Sequence, residues 1–303
     1  MENFSPDDPN CIQIEFTEGC NLRCQFCGIN GIRTKKRDFR YMTPDVAEKL
    51  AVDIAMAGWN SRLEFAMHGE PTLNPHFDEN MEFFEKYLPG NHKLLTTNGI
   101  KLRQVDLAPF NVVAIDCYES SRNLWEPLVE ELDGQWYPDV KEMNPHRRRK
   151  IYEQDIVFVR DISTQTRGTH ASLSNHCGAG GPLDDSRSSA RCTLPFREIA
   201  VRYNGKIALC CNDWRGEYET GDVKTTNIQD IWNGERFDAA RREIYHNGRT
   251  FRPCEGCNYR ATRVGLLPDK LGKKEMPEPN DSTDAILREE RDPLAPVVRR
   301  EWE

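Results

Sequence analysis

Short apolar runs alternate with longer mixed stretches along the first half of the chain. The runs are rich in β-branched and aromatic residues, which is typical of strands. The mixed stretches carry helix signals: Thr43 suits an N-cap, Pro44 suits the first turn, and Gly58 suits the end. The predicted strands are residues 11–17, 62–67, 92–96, 111–115 and 155–160, and the predicted helices are residues 43–57, 74–88, 101–107 and 121–132. Such alternation predicts βα units around a parallel sheet.

Polar residues cluster where these strands end. Parallel βα folds gather their chemistry at the carboxyl ends of the strands, so these residues are candidates for a site. They are His68, Gly69, Glu70, Asn98, Asp116, Cys117 and Arg160.

The pattern changes in the second half of the chain. Residues 164–191 are polar and rich in Gly and Ser, and we expect the part around Cys177 to be flexible. Asn204-Gly205 lies between two apolar runs, which is a strong hairpin signal. Residues 227–245 are predicted to form one helix.

Composition limits the class of protein. The acidic N-terminus lacks the apolar segment of a signal peptide, and no run of about 18 apolar residues exists, so we expect a cytoplasmic protein without a membrane span. Eleven cysteines without export favour reduced thiols and metal over disulfides. A net charge of −8 argues against general binding to nucleic acid.

Three cysteines, Cys20, Cys24 and Cys27, follow the first predicted strand within eight residues. Closely spaced thiolates bind iron–sulfur clusters or zinc. A structural zinc site needs four ligands, and this loop supplies three with no nearby histidine. A [4Fe–4S] cluster held by three thiolates would leave one iron open to a small molecule.

This loop, with Phe26 before its last cysteine, resembles the Cys-x3-Cys-x2-Cys loop of the radical SAM superfamily. The resemblance implies a partial (β/α)6 TIM-like barrel of the radical SAM type. It also implies that the open iron binds S-adenosylmethionine (SAM), which is cleaved reductively to a 5′-deoxyadenosyl radical.

The resemblance extends to the SAM site. Gly69-Glu70-Pro71 resembles the family's Gly-Gly-Glu-Pro motif, which holds the methionine amino group, although His68 stands where the family has the first glycine. We expect His68 to be a packed, hydrogen-bonding residue. Asn98, in Thr97-Asn98-Gly99, is either a SAM contact or a turn residue, and Asp116 is a candidate for ribose or substrate binding.

A second cysteine set follows in the hairpin and in the turn Cys254-Glu255-Gly256-Cys257. Spacing alone leaves a zinc ribbon and a [4Fe–4S] cluster open. The layout resembles the twitch domain, a shortened SPASM module with one auxiliary [4Fe–4S] cluster in a small α+β domain. That resemblance implies the ligands Cys192, Cys210, Cys254 and Cys257, with Cys211 as a possible substitute for Cys210.

The resulting organisation has four parts. They are a radical SAM core at residues 11–165, a linker at 166–191, a twitch-like domain at 192–260 and a charged, Pro-containing tail at 261–303.

The resemblance implies hydrogen abstraction from a C–H bond, with the auxiliary cluster as an electron relay. The cluster motif starts at residue 20, which leaves no room upstream for a peptide-recognition domain and favours a small or sugar-like substrate. The outcome is dehydrogenation, or epimerisation if Cys117 donates a hydrogen atom. Arg160 is a candidate for substrate binding or deprotonation, and flavodoxin or ferredoxin is the expected reductant.

Two other classes stay open. The basic run at residues 146–150 could hold the phosphates of a nucleotide or of DNA whose base is modified, and related enzymes modify peptide side chains. A non-catalytic iron–sulfur or zinc protein is the last alternative, and it would have lost SAM binding despite retaining Gly69, Glu70 and the three-cysteine loop.

Overall fold

The computed structural model describes residues 8–24, 26–32, 38–117, 174–187 and 191–259, and the backbone of strands 135–137 and 156–161. The predicted helix 121–132, the basic run 146–150 and the tail 261–303 lie outside the described residues.

In the described part of the chain, nine strands form one mixed sheet. The strands are β1 (Cys11–Ile14), β4 (Arg62–Phe65), β5 (Lys93–Thr97), β6 (Val112–Cys117), β7 (Gln135–Tyr137), β8 (Ile156–Asp161), β9 (Glu198–Val201), β10 (Lys206–Ala208) and β11 (Glu219–Asp222), while β2 (Thr17–Glu18) and β3 (Arg40–Tyr41) make a separate pair. The sheet order is β11-β10-β9-β1-β4-β5-β6-β8-β7. Neighbours from β9 to β7 are parallel, whereas β10 and β11 are antiparallel to their neighbours. The predicted parallel α/β core is confirmed.

Local signals set the first helices. Helix α1 (Pro44–Ala57) starts directly after Thr43, and it ends at Gly58, whose φ of 67° is left-handed and therefore suits glycine. Helix α2 (Phe77–Tyr87) carries Asp78 and Glu79 in its first turn, where acidic residues favour the helix dipole. Between β5 and β6 the structure has only a 3₁₀ turn, Leu102–Gln104, in place of the predicted helix 101–107.

The second half forms a hairpin and two helices. The turn at Asn204-Gly205 joins β9 to β10, with Gly205 at a φ of 86°. The single helix predicted over residues 227–245 is wrong, because α3 (Ile228–Trp232) and α4 (Glu235–His246) are separated at Asn233-Gly234. A Cβ at Gly234 would lie 2.9 Å from the carbonyl oxygen of Asp230, so close backbone approach requires glycine there.

Both halves share one hydrophobic core. Strand β9 pairs with β1 in register, Cys11 opposite Glu198 and Ile14 opposite Val201, which joins the hairpin to the parallel sheet. Trp59, after α1, meets Trp232 of α3 edge to face, with 6.5 Å between the ring centroids. The cysteine-rich second half is therefore held directly against the strand that leads into the three-cysteine loop.

None of the helices in the described part of the chain has the length and apolar run needed to cross a bilayer.

Candidate functional site: two sets of cysteine thiols

The three-cysteine loop begins where β2 ends. Cys20 is partly buried, and burial, together with the charges of Glu70, Cys27 and Cys24, raises the pKa of its thiol to about 12. The backbone N–H of Leu22 donates to Cys20 Sγ over 3.3 Å. The loop is held by Asn30, whose Nδ2 donates to the carbonyl oxygen of Cys24 over 2.7 Å. A thiol whose proton affinity is raised by neighbouring negative charges favours a positively charged metal centre as its partner.

The motif after β4 runs alongside this loop. Gly19 and Gly69 form an isolated parallel bridge, and the N–H of Glu70 donates to the carbonyl oxygen of Gly19 over 2.9 Å. A Cβ at Gly69 would lie 2.1 Å from the carbonyl oxygen of Thr17 and 2.4 Å from that of Gly19. Only glycine fits this approach between the two backbones.

Glu70 is a buried carboxylate held by several donors. Its Oε1 accepts from Thr72 Oγ1 and Thr97 Oγ1, each over 2.6 Å, and from the Thr72 N–H over 3.2 Å. Its Oε2 accepts from the Asn98 N–H over 2.7 Å. Burial raises the pKa of Glu70 although these hydrogen bonds oppose the shift. Because a carboxylate has about four lone-pair sites, Oε2 keeps capacity for a further donor such as an ammonium group.

Asn98 joins Glu70 to the cysteine loop. Its Nδ2 lies 2.8 Å from Asn21 Oδ1 and 3.6 Å from Cys20 Sγ. Its Oδ1 also accepts from the N–H of Ile100 over 3.0 Å, as in a turn. The structure therefore brings Cys20, Glu70 and Asn98 together and shows Asn98 in the turn that the sequence analysis left as one alternative, while its contact with SAM stays a prediction.

The second cysteine set is buried on the hairpin side of the sheet. Cys192, Cys210, Cys254 and Cys257 are each 7–8% exposed. Burial raises the pKa of Cys192, Cys210 and Cys254, and the charges of the other thiols raise it further. Cys211 is less buried and interacts electrostatically with Cys210.

Two residues that the sequence analysis did not select support this set. Arg249 is 2% exposed, and its guanidinium donates to the carbonyl oxygens of Cys257 and Tyr259, each over 2.6 Å. Cys177, expected in a flexible stretch, is instead 7% exposed, and the preceding Asn175 donates from Nδ2 to the carbonyl oxygen of Gly256, next to Cys257, over 2.7 Å. A cysteine only 15 positions before Cys192 was the available signal for Cys177.

His68 and Trp214 connect the two thiol clusters. His68 is fully buried, with Nδ1 at 2.9 Å from Glu15 Oε1 and Nε2 at 3.1 Å from the carbonyl oxygen of Cys211. Its ring lies 4.6 Å from that of Trp214. A Cβ at Gly28, next to Cys27, would lie 2.8 Å from Trp214. The family's missing glycine is thus replaced by a side chain that ties the motif after β4 to the hairpin.

The candidates at the far strands are placed by backbone register. Asp116 in β6 pairs with Arg160 in β8, and Cys117 pairs with Asp161. Asp116 is half-buried at the carboxyl end of β6, the same end at which β5 leads into Asn98. Phe26 is half-buried in the cysteine loop. The side chains of Cys117 and Arg160 lie outside the described part of the structure, so their roles stay predictions.

Both thiol sets suit iron–sulfur clusters by donor chemistry. The first offers three thiols beside a glycine cradle and a carboxylate with a vacant lone pair, which suits a cluster with an open iron and an amino-acid ligand. The second offers four buried thiols, the complement of a fully ligated [4Fe–4S] cluster. Among the described residues, no three His, Cys, Asp or Glu side chains are already gathered as a site for one metal ion.

Comparison with known proteins agrees with this chemistry. The Radical SAM superfamily profile matches residues 14–117, and that of SPASM, an iron-sulfur cluster-binding domain, matches residues 192–258. The S-adenosyl-L-methionine-dependent 2-deoxy-scyllo-inosamine dehydrogenase of Niallia circulans is 23% identical over 253 residues, covering 82% of this chain and 92% of that protein. A GTP 3′,8-cyclase of Haemophilus ducreyi is 32% identical over 94 residues, or 31% of this chain and 27% of that protein.

Solved structures show the same fold. BtrN in complex with AdoMet and 2-DOIA superposes with a TM-score of 0.64 at 19% identity, covering 84% of this chain and 95% of that one. Selenomethionine BtrN in an open conformation superposes with a TM-score of 0.57 at 17% identity, covering 82% of this chain and 92% of that one. The family models therefore identify a Radical SAM domain and a C-terminal SPASM domain in this chain, and it is an enzyme whose cofactors are S-adenosylmethionine and [4Fe–4S] clusters.

Proposed function

We propose that this enzyme is a dehydrogenase that oxidises a hydroxyl-bearing carbon of a small, sugar-like substrate such as an aminocyclitol. The observation that carries the proposal is the contact of His68, in the motif after β4, with the carbonyl oxygen of Cys211 and the ring of Trp214, both of which closely follow the auxiliary cysteine Cys210. The Niallia dehydrogenase supports it, since the similarity spans nearly its whole length.

The proposal assigns each predicted residue a task. Cys20, Cys24 and Cys27 hold the SAM-binding cluster, and Cys192, Cys210, Cys254 and Cys257 hold the auxiliary cluster. Gly69, Glu70 and Asn98 bind SAM, with Phe26 and Asp116 lining the same site. Arg160 and Cys117 are the residues proposed to act on the substrate. The boundaries expected from the sequence, with the core at 11–165 and the twitch-like domain at 192–260, are part of the proposal.

When bound, the cofactors supply a radical that removes one hydrogen atom and, at the auxiliary site, an acceptor for one electron. The chain's own residues orient SAM and exclude water. Glu70 would accept a hydrogen bond from the amino group of SAM, and Gly69 would let that group approach the backbone. Because Glu70 is ionised more readily beside an ammonium, SAM binding restores the charge that burial opposes. Buried His68 and Trp214 exclude water between the two thiol clusters.

The substrate loses a hydrogen atom, a proton and an electron in total, which turns the C–H of a secondary alcohol into a ketone. Arg160 is the residue proposed to assist removal of the proton from the substrate. A low-potential reductant of the flavodoxin or ferredoxin type supplies the electron that starts the reaction.

The test is anaerobic turnover of the reconstituted enzyme with SAM, reductant and 2-deoxy-scyllo-inosamine, followed by mass spectrometry. We expect 5′-deoxyadenosine and a product about 2 Da lighter than the substrate, as loss of two hydrogens requires. A panel of aminocyclitols and aminoglycosides covers related substrates.

Reaction in D2O separates the alternatives. A product of unchanged constitution that has gained one solvent deuterium identifies an epimerase with a thiol donor such as Cys117. Turnover of a nucleotide or a peptide, with none of the sugar-like panel, refutes the proposed substrate class.

A further inference from the structure

Dehydrogenation of a secondary alcohol releases a proton, and that proton needs an acceptor. Arg160, proposed above to assist its removal, carries a guanidinium that stays protonated and has no acceptor atom. The buried carboxylates of this region are already engaged, since Glu70 accepts four hydrogen bonds and Asp213 accepts from two backbone N–H groups. Both ring nitrogens of His68 face acceptors, one of which is Glu15. The proton therefore needs an acceptor other than these groups.

A second histidine, His176, lies between the cysteine loop and the hairpin. It begins the 3₁₀ turn His176–Gly178 with a φ of 47°, a left-handed conformation that residues other than glycine rarely adopt. Its ring centroid lies 5.0 Å from that of Trp214. A Cβ at Gly180 would lie 2.6 Å from His176 Cδ2 and 3.2 Å from the carbonyl oxygen of Phe26. The strained backbone thus holds an imidazole between the loop with the first cysteine set and the segment that carries Trp214.

Hydrogen bonds decide which ring nitrogen carries the hydrogen. The backbone N–H of His176 donates to Ser174 Oγ over 3.1 Å, and Ser174 Oγ donates to Asn212 Oδ1 over 3.2 Å. Asn212 Nδ2 is directed at the sulfur of Cys211, 3.9 Å away. The amide oxygen of Asn212 lies 3.3 Å from His176 Nδ1 and can only accept, so Nδ1 carries the hydrogen. Nε2 keeps the lone pair of the neutral ring, and no group in the described part of the chain donates to it.

The ring is uncharged at neutral pH, as a proton acceptor must be. Burial lowers the pKa of His176 to about 4, although the hydrogen bond to Asn212 opposes the shift. A weak base suffices for this reaction, because a hydroxyl-bearing carbon radical that loses its electron becomes a protonated ketone, which is a strong acid. Asn212 Oδ1 stays bonded to Nδ1–H in the imidazolium, so the ring accepts a proton without rearrangement.

We propose that His176 is the catalytic base of the dehydrogenation and that its Nε2 takes the proton of the substrate hydroxyl. The C–H bond breaks first, and its hydrogen atom goes to the 5′-deoxyadenosyl radical. The O–H bond then breaks, with the proton going to Nε2 and one electron to the auxiliary cluster, which leaves the C=O bond of the ketone. Asn212 holds the ring in the required tautomer, and Arg160 polarises the same hydroxyl. The inference rests on the proposed function, because it names the acceptor of the proton that the dehydrogenation releases.

The first measurement is chemical labelling of the full-length, reconstituted enzyme, kept anaerobic and without reductant. Diethyl pyrocarbonate acylates the free nitrogen of accessible, neutral imidazoles, and peptide mass spectrometry locates the labels. His176 is expected to be labelled in the free enzyme and protected by SAM together with a compound that the parent converts. His76, whose side chain is 44% exposed, should be labelled equally in both states, whereas His68, at 0% exposure, should stay unlabelled.

The second measurement separates hydrogen abstraction from proton removal. His176→Ala is expected to keep the iron content and SAM affinity of the parent and to form 5′-deoxyadenosine with substrate. Its yield of ketone per 5′-deoxyadenosine should fall about a hundredfold or more, as loss of a general base implies. A substrate radical should accumulate in the EPR spectrum, and added imidazole should restore part of the ketone yield. His76→Ala is the matched control and should behave as the parent does.

Three outcomes overturn the inference. They are an unlabelled His176 in the free enzyme, equal labelling of His176 with and without the converted compound, and a yield of ketone per 5′-deoxyadenosine in His176→Ala that equals the parent's. Labelling of the parent decides the question if His176→Ala loses its clusters. A parent enzyme that converts none of the sugar-like panel fails the proposed function, and labelling of His176 in the free enzyme then tests the base separately.

Discussion

Replacing Glu15 by glutamine should strongly destabilise the protein, because Glu15 is the buried anion beneath the SAM motif. It is fully buried, with His68 Nδ1 at 2.9 Å, Arg202 Nε at 3.6 Å and the Tyr203 N–H donating over 3.1 Å. Both ring nitrogens of His68 face acceptors, Glu15 and the carbonyl oxygen of Cys211. Glutamine preserves shape but removes the negative charge beside the guanidinium of Arg202 and presents an N–H group or a neutral oxygen to His68.

The magnitude follows from burial. Breaking a buried ion pair by removing one charge costs about 3–5 kcal/mol, since the remaining charge is left without its partner. For a protein of this size that corresponds to a fall in melting temperature of about 6–20 °C. Arg202 also pairs with Glu18, so its charge stays partly compensated when Glu15 is replaced.

The assay is anaerobic thermal unfolding of parent and variant, with Glu79→Gln as the matched control. Glu79 pairs with His76 at 3.2 Å, but the two side chains are 55% and 44% exposed. A surface pair of this kind is worth about 0–1 kcal/mol, so the control should melt close to the parent.

The effect should depend on pH in a defined direction. Burial alone raises the pKa of Glu15, but the charges of His68 and Arg202 outweigh it and hold the pKa below 4.5. A carboxyl with a lowered pKa in the folded state contributes its stability above its unfolded pKa and loses it as the pH falls through the folded value. The difference in melting temperature between the parent and Glu15→Gln should therefore be largest at neutral pH and shrink below about pH 4.5. If Glu15→Gln and the Glu79→Gln control have the same melting temperature at neutral pH, the buried ion pair does not exist.

Three further predictions test the site. Gly69→Ala should abolish SAM binding measured by equilibrium dialysis, since its Cβ would lie 2.1 Å from a carbonyl oxygen, whereas Gly90→Ala, with no atom within 4 Å, should bind normally. Glu70→Gln should weaken SAM binding at least about tenfold, because one charge-assisted hydrogen bond of about 1.5–3 kcal/mol is lost. The iron content of this variant should stay at the parent value. An affinity for SAM equal to that of the parent would show that Glu70 does not bind SAM. Cys254→Ala with Cys257→Ala should remove about four irons while SAM binding persists, and full retention of iron would refute the auxiliary ligand set.

Local signals account for most of the elements that form the parallel core. Thr43-Pro44 and Gly58 set the limits of α1, and Asn204-Gly205 set the hairpin, because caps and turns depend on backbone preferences of a few adjacent residues. The same Asn-Gly signal recurs at Asn233-Gly234, where α3 ends and α4 begins, and the prediction of one helix over residues 227–245 overlooked it.

The sequence by itself determined the chemistry of the two thiol sets, since ligand type and spacing are properties of the chain, and those motifs sufficed for the superfamily. Only the tertiary structure decided how the sets are related. The parallel pairing of β9 with β1, the contact of His68 with Cys211 and the hydrogen bond of Asn175 to Gly256 each join residues far apart in the chain. Such contacts depend on side chains that meet only when the whole core is assembled, and periodicity within a short window carries no record of them.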